Sequence, residues 1–199
     1  MLPDNNRGFN NMFEAIPRPD MLGKSDASLN APIGGSKTPQ YTIETGSDDD
    51  IFSSDMNGDF AKAAPVLWIE TGGARLATYD SSGQLSGDGK IVCRDPILCM
   101  KYGDWSPALQ QYMFEGKKIT TIIVKRVISV SGTLVVIQEI TYGTCLIKTY
   151  MQSGDTITFS FCYVTITDLS KAYDHQGTLI GNVGVTYDSA SVTVESAGS

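Results

Sequence analysis

The sequence predicts a mainly β protein: an antiparallel β-barrel or sandwich with one short helix, preceded by an extended N-terminal arm. Residues 119–166 are rich in β-branched and aromatic residues, which favour strands. Within them, residues 156–163 alternate strictly between apolar side chains and Thr, Ser or Cys, so one strand face is apolar; the apolar set is Ile157, Phe159, Phe161 and Tyr163. One short segment, between Ser106 and Gly116, has apolar residues at the spacing expected of a helix.

The first 60 residues differ in composition from the rest of the chain. They hold ten acidic and four basic residues, so they carry most of the formal net charge of −7. Prolines, among them Pro17, Pro19, Pro32 and Pro39, and several glycines interrupt any regular element. We therefore expect residues 1–60 to form an extended arm, either disordered or ordered by lying on a neighbouring subunit. Residues 61–199 are expected to form the β domain.

Strands and turns alternate from Ala64 to Tyr102. Strands are predicted at Val66–Ile69, Ala74–Tyr79 and Lys90–Arg94, with a Gly/Ser/Asp loop at 80–89. After Pro96, Ile97–Tyr102 is expected to be an edge strand or a bend, since proline is tolerated mainly at sheet edges.

One helix of about ten residues is predicted between Ser106 and Gly116. Ser106 suits an N-cap, Pro107 the first helical position, and Gly116 the position after the last turn. One apolar stripe follows from the spacing of Leu109, Tyr112 and Met113. A helix this short must pack on the sheets to be stable.

The remaining chain predicts further strands, at Ile119–Val130, Leu134–Tyr142, Thr144–Met151, Thr156–Tyr163, Val183–Tyr187 and Ser191–Val194. A change in the parity of the apolar residues predicts a bulge or bend near Tyr163. Asp168–Gly181 is polar and is expected to be a loop.

Charge and the N-terminus exclude several classes of function. An acidic chain is a poor partner for nucleic acid or an anionic membrane surface. Apolar runs fall short of the roughly 20 residues of a membrane helix. The first residues lack the basic start and apolar core of a signal peptide, so we expect synthesis in the cytoplasm without one.

Catalytic, cofactor and metal sites are not predicted. Cys93, Cys99, Cys145 and Cys162 show no C-x-x-C spacing and are expected to be reduced. The acidic run Asp48–Asp59 has apolar interior positions and no closing Glu, unlike an EF-hand loop. We expect it to be a solvated acidic segment.

The single histidine lies in the segment Tyr173, Asp174, His175 and Gln176. There is no G-x-S-x-G motif, and no serine lies at a recognisable spacing from this histidine for catalysis. We interpret these four residues as a surface turn and as the predicted assembly contacts.

The chain from Asp104 onward resembles the haemolysin-coregulated (Hcp) tube proteins of type VI secretion, relatives of phage tail tube proteins. The matching order comprises Trp105–Leu109, Gly116, Lys117–Ile119, Val135–Gln138, Cys145–Ile147, Ser153–Asp155 and Ile157–Tyr163. The resemblance implies a structural subunit without catalytic residues or cofactor, forming hexameric rings that stack into a hollow tube. It also implies sheath, spike or baseplate-type partners, and a secreted or virion-like assembly. The 60-residue arm, the loop Asp168–Gly181 and the strands after that loop depart from this pattern.

An alternative interpretation is a monomeric β-sandwich that binds a carbohydrate or a protein. Trp68 and Trp105 could then form an exposed stacking platform. An exposed aromatic patch and a stable monomer would distinguish this class from a tube subunit.

Overall fold

The computed structural model describes residues 40–46, 49, 51–52, 60, 62–75, 78–79, 85–86, 91–130, 133–174, 176–189 and 193–197. These residues form thirteen antiparallel strands and one helix, so the predicted mainly β class is confirmed. The strands are β1 (Tyr41–Thr45), β2 (Ala64–Glu70), β3 (Gly73–Arg75), β4 (Thr78–Tyr79), β5 (Leu85–Ser86), β6 (Ile91–Cys93), β7 (Ile97–Lys101), β8 (Lys118–Val130), β9 (Thr133–Ser153), β10 (Thr156–Cys162), β11 (Thr165–Tyr173), β12 (Leu179–Asp188) and β13 (Thr193–Ala197). Helix α1 (Ser106–Glu115) connects β7 to β8.

Six strands close into a barrel. Their order is β10-β7-β2-β1-β8-β9, and β9 pairs with β10 to complete the circuit. The interior contains the apolar face predicted for β10, since Ile157, Phe159 and Phe161 are all fully buried. Closure leaves none of these six strands with a long open edge, which is the usual way a barrel protects its backbone.

Helix α1 packs against this core. Leu109 is fully buried and Trp105 contacts Phe52 with ring centroids 5.4 Å apart. Gly116 ends the helix in the left-handed conformation, as predicted. Ser106 is not the N-cap: it is the first helical residue, and its Oγ accepts a hydrogen bond from the Gly103 N–H at 3.0 Å.

Three strands extend the sheet beyond the barrel. β11, β12 and β13 attach to the first half of β9 and form, with that half, what we call the side sheet. One edge of β9 serves both parts: residues 138–143 pair with β11, and residues 146–153 pair with β10. The chain bends between β10 and β11 at Tyr163 and Val164, where the sequence predicted a bulge or bend.

Four short strands extend the hairpin formed by β2 and β7. β3 pairs with β6, and β4 pairs with β5. The Arg94 N–H donates to the Gly72 carbonyl at 2.8 Å and links these pairs to the barrel strands. We call the unit formed by β3, β4, β5 and β6 the extended hairpin; the predicted loop at 80–89 therefore contains a strand, β5.

The predicted arm is wrong over Tyr41–Thr45. This segment is an interior barrel strand between β2 and β8, and Ile43 is fully buried. The mistake follows from composition: proline, glycine and aspartate on both sides of the strand concealed five residues of strand pattern. Residues 1–39 lie outside the described part of the chain, so an arm there stays a prediction.

Other boundaries also change. The predicted loop at Asp168–Gly181 contains most of β11, a strand with mixed polar and apolar side chains that are mostly half-buried. The strands predicted on either side of Gly143 are one strand of 21 residues. Ile97–Lys101 is neither an edge nor a bend, since β7 lies between β10 and β2.

Candidate assembly surface

The predicted contact residues lie at the turn between β11 and β12. One Asp174 carboxylate oxygen accepts hydrogen bonds from the Gln176 N–H at 2.9 Å and the Thr178 N–H at 2.8 Å. Gly177 has a φ of 86°, a left-handed conformation that glycine adopts without strain. The Asp174 side chain and Gly177 therefore stabilise the turn.

Tyr173 fixes this turn to the neighbouring strand. Its hydroxyl donates to the Val136 carbonyl of β9 at 2.9 Å. Tyr173, Asp174 and Gln176 thus lie together at one end of the side sheet, whereas His175 is outside the described residues. A contact between this turn and another subunit stays a prediction.

The side sheet carries an exposed apolar surface on β12. Val183 and Val185 are 69% and 46% exposed, and Leu179 and Ile180 are also exposed. Val185 pairs with Asp168, which pairs with the buried Ile140 of β9, so by register the two valines share the sheet face that lines the barrel core. We call Val183 and Val185 the valine face. Its polar neighbour Asp168 accepts two hydrogen bonds from the Gln138 amide, at 2.9 and 3.1 Å.

The opposite face of the sheet is covered near β8. Phe60 and Ala63 pack on Val127, which lies on the same face of β8 as Lys125, and all three are buried. This apolar cover does not reach the valine face, which lies on the other side of the sheet. Contiguous exposed apolar patches are a typical feature of protein contact surfaces.

The outer strand of the side sheet is β13. It pairs with β12 over Thr193–Asp188 to Ala197–Gly184 and, within the described residues, with no strand on its other side. An open edge presents unpaired N–H and C=O groups to any strand of suitable length. The valine face and the β13 edge are thus adjacent, and together they form the candidate assembly surface.

A row of alternating charges crosses the opposite face. Lys125 of β8 contacts Glu44 of β1 at 2.5 Å, and Lys171 of β11 contacts Glu139 of β9 at 3.0 Å. Lys125 and Glu139 are direct cross-strand partners, so the four charges form a ladder from barrel to side sheet. The ladder is neutral overall and gives this face a polar character that contrasts with the valine face.

The barrel interior is built for packing rather than proton transfer. Burial raises the pKa of the Cys145 thiol to about 12, and burial raises the pKa of Tyr142 to about 12 although Thr71 bonds its hydroxyl. Burial, followed by interactions with Cys93, also raises the pKa of Tyr163. Groups held neutral in this way are poor general bases and poor nucleophiles at neutral pH.

The acidic run is partly structural. Asp49 accepts a hydrogen bond from the Thr120 N–H at 2.7 Å and another from the Tyr112 hydroxyl at 3.3 Å. This carboxylate therefore ties the segment after β1 to α1 and β8 and is not simply solvated, as the sequence suggested. The other aspartates of the run lie outside the described residues.

Few features of a chemical site appear in the described residues. No group of three or more His, Cys, Asp or Glu side chains there could hold a metal ion. Cys93, Cys99, Cys145 and Cys162 form no disulfide with one another. Trp105 is buried against Phe52 and Trp68 is only half-buried in the barrel wall, so they do not form the exposed aromatic platform of the alternative interpretation. None of the helical structure described here is long and apolar enough to cross a membrane.

The described residues thus define the class of protein: a closed antiparallel β-barrel with a side sheet, an extended hairpin and one helix. Neither a protein-family model nor a curated protein matches the chain. Solved structures do. A type six secretion system protein superposes with a TM-score of 0.69 at 14% identity, covering 79% of this chain and 100% of that one.

Two further structures carry the family name. Hcp1 from Salmonella typhimurium has a TM-score of 0.59 at 16% identity and covers 78% of this chain and 97% of that one. A secreted protein, Hcp3 from Pseudomonas aeruginosa, has a TM-score of 0.51 at 14% identity, covering 79% and 96%. At such identities the likeness concerns the fold, and the chain has the Hcp fold. The resemblance inferred from the sequence is confirmed at that level.

Sequence reasoning missed the valine face. The strand itself was predicted, and Val183, Val185 and Tyr187 alternate with Gly and Thr as in any half-buried strand. The pattern shows that one face is apolar but not whether that face is covered. Coverage depends on long-range packing, for which the local sequence carries no signal.

Proposed function

We propose that this chain is a structural subunit of a hollow tube in a bacterial secretion system or phage-like contractile machine. The observation that carries the proposal is the pairing of a shared fold, over 78–79% of the chain, with an apolar strand face beside an open sheet edge. The function is mechanical, with no catalytic residue and no cofactor. The self-sufficient barrel is the body of each subunit, and the side sheet is its contact.

Rings form when the β13 edge and the valine face of one subunit meet the next subunit. The contact joins two different surfaces, and such heterologous contacts close into rings when the rotation between copies allows it. Six copies are proposed, from the resemblance to Hcp proteins. Burial of Val183 and Val185 contributes hydrophobic free energy to the association of subunits. Strand pairing at the β13 edge fixes the orientation of one subunit against the next.

Stacking of rings uses the elements that extend from the barrel. The extended hairpin and the turn at Tyr173–Gln176 are the proposed inter-ring contacts. Residues 1–39 are proposed to be the strap that lies on a neighbouring subunit. Gln40, immediately before β1, lies against β8, and its carbonyl accepts the Val127 N–H at 3.0 Å. Order in such a segment would arise only on assembly.

Sheath, spike or baseplate-type components are the proposed partners outside the tube. Subunits are made in the cytoplasm and leave it as part of the secreted or virion-like assembly. The Thr and Ser side chains on the outer face of β10 are proposed to line the lumen, where a hydrated surface lets cargo pass. Thr149 and Ser160 already bond to each other across this face at 2.7 Å.

Electron microscopy and sedimentation of the purified protein test the proposal. Rings or stacked rings are expected at high concentration, and a persistent monomer across all concentrations would contradict the tube function. The variant Val183→Asp should shift the concentration for half-assembly upward by about tenfold or more, because assembly would bury an unpaired charge.

Phe114 provides the matched control. It is 74% exposed, but it lies on α1 rather than on the side sheet. Phe114→Asp should leave assembly close to wild type. Equal loss in both variants would show that the valine face is not the contact.

A further inference from the structure

Barrel and side sheet separate at a corner in β9 whose backbone is unusual. Thr144 has a φ of 52° and is, among the described residues, the one non-glycine position at positive φ. A β-branched side chain crowds its own backbone in this region, so threonine is a poor residue for it. Its side chain is exposed. The conformation is therefore imposed by the neighbours and not by packing of the threonine itself.

Both neighbours of Thr144 are fixed. Gly143 is the last β9 residue paired with β11, and its carbonyl accepts the Val164 N–H at 3.0 Å. On the other side, the buried Cys145 thiol donates to the Tyr142 carbonyl at 3.4 Å. Pairing with β10 begins only at Leu146. Thr144 thus bridges two ladders, and both constrain its backbone.

The second strand at the corner is equally constrained. The Val164 carbonyl accepts the Ser189 N–H at 2.9 Å and the Ser189 hydroxyl at 2.7 Å. A Cβ on Gly143 would lie 2.2 Å from the Thr165 Oγ1, so the two strands approach closely here. β11 and the end of β12 therefore both contact this corner. These contacts fix the direction in which the side sheet leaves the barrel.

We infer that Thr144 is a strained corner that fixes the direction in which the side sheet leaves the barrel, and that this direction presents the valine face and the β13 edge to a second copy. The first half depends only on the geometry of β9. The second half rests on the proposed function. Strain of this kind persists where surrounding structure holds it and where it has a use.

Three variants at Thr144 test the strain. Thr144→Asn accepts positive φ readily and should raise the unfolding midpoint by about 2–4 °C. Thr144→Gly should raise it less, because glycine also gains freedom in the unfolded chain. Thr144→Val, the β-branched control, should not raise it. An unfolding midpoint that falls in both the Thr144→Asn and the Thr144→Gly variant would show that Thr144 is not strained.

Hydrogen exchange and assembly measurements test whether Thr144 sets the direction of the side sheet. In Thr144→Gly the backbone at the corner gains freedom, so amides of β11 should exchange faster while barrel amides do not change. Its concentration for half-assembly should rise several-fold, whereas Thr144→Asn should assemble like wild type. If Thr144→Gly assembles as well as wild type, the corner does not direct the contact. If wild type itself never assembles, the proposed function fails, and the midpoints still decide whether the corner is strained.

Discussion

The barrel and the side sheet share one strand, β9, but the two parts of the molecule bury their apolar side chains very differently. In the barrel, Ile157, Phe159 and Phe161 are fully buried, and the six strands pair in a closed circuit. In the side sheet, Val183 and Val185 are exposed beside an open edge. The contrast shows that the barrel completes its apolar core within one chain, whereas the side sheet leaves part of an apolar face exposed.

Removing a barrel side chain should have the largest effect on stability. Phe159→Ala should lower the free energy of unfolding by about 3–5 kcal/mol, because it leaves a cavity in a closed core. The matched variant Val183→Ala should change it by less than about 0.5 kcal/mol. Urea unfolding of both variants measures the difference. Similar losses would mean that the side sheet is as well packed as the barrel.

Alkaline pH should weaken the barrel by an intermediate amount. The Cys145 thiol ionises near pH 9 when unfolded and near pH 12 when folded, so the stability it contributes is full below pH 9 and is lost as the pH rises toward 12. The loss amounts to about 1.4 kcal/mol per pH unit. Unfolding of wild type and Cys145→Ala between pH 7 and 11 should give a shallower alkaline decline for the variant. Parallel declines would exclude this thiol as a cause.

The smallest expected effect concerns the charge ladder. Lys171→Ala removes the contact with Glu139, a partly exposed pair, and should cost less than about 1 kcal/mol. The loss should be local, with faster hydrogen exchange in β11 and β12 and unchanged protection in β10. Uniform exchange across the barrel would show that the two regions unfold as one unit.

The sequence predicted most of the barrel because its signals are local. Strict alternation over residues 156–163 specified a strand with one buried face, and Gly116 specified the end of α1. Two elements were predicted wrongly for physical reasons. Tyr41–Thr45 is too short to give a strong period of two, and β11 mixes polar and apolar residues without a clear alternation.

The candidate site was predicted only in part. Asp174 and Gln176 were placed correctly at a surface turn, since an Asp–x–x–Gly sequence supplies both the hydrogen-bond acceptor and the left-handed residue. The valine face and the β13 edge were not found. Exposure of Val183 depends on which strands lie beside it, and pairing between strands far apart in the chain has no local signal.

By itself, the sequence determined the β class, the short helix, the main turns and the apolar face of β10, because each follows from backbone preference and side-chain alternation within a few residues. Tertiary structure decided the rest. Closure of the barrel depends on pairing between β9 and β10 and on the insertion of β1 between β2 and β8. The positive φ of Thr144 opposes the preference of its own residue, and contacts made by Gly143 and Cys145 impose it. Local chemistry selects the elements, and long-range contacts select where they lie and which surfaces stay open.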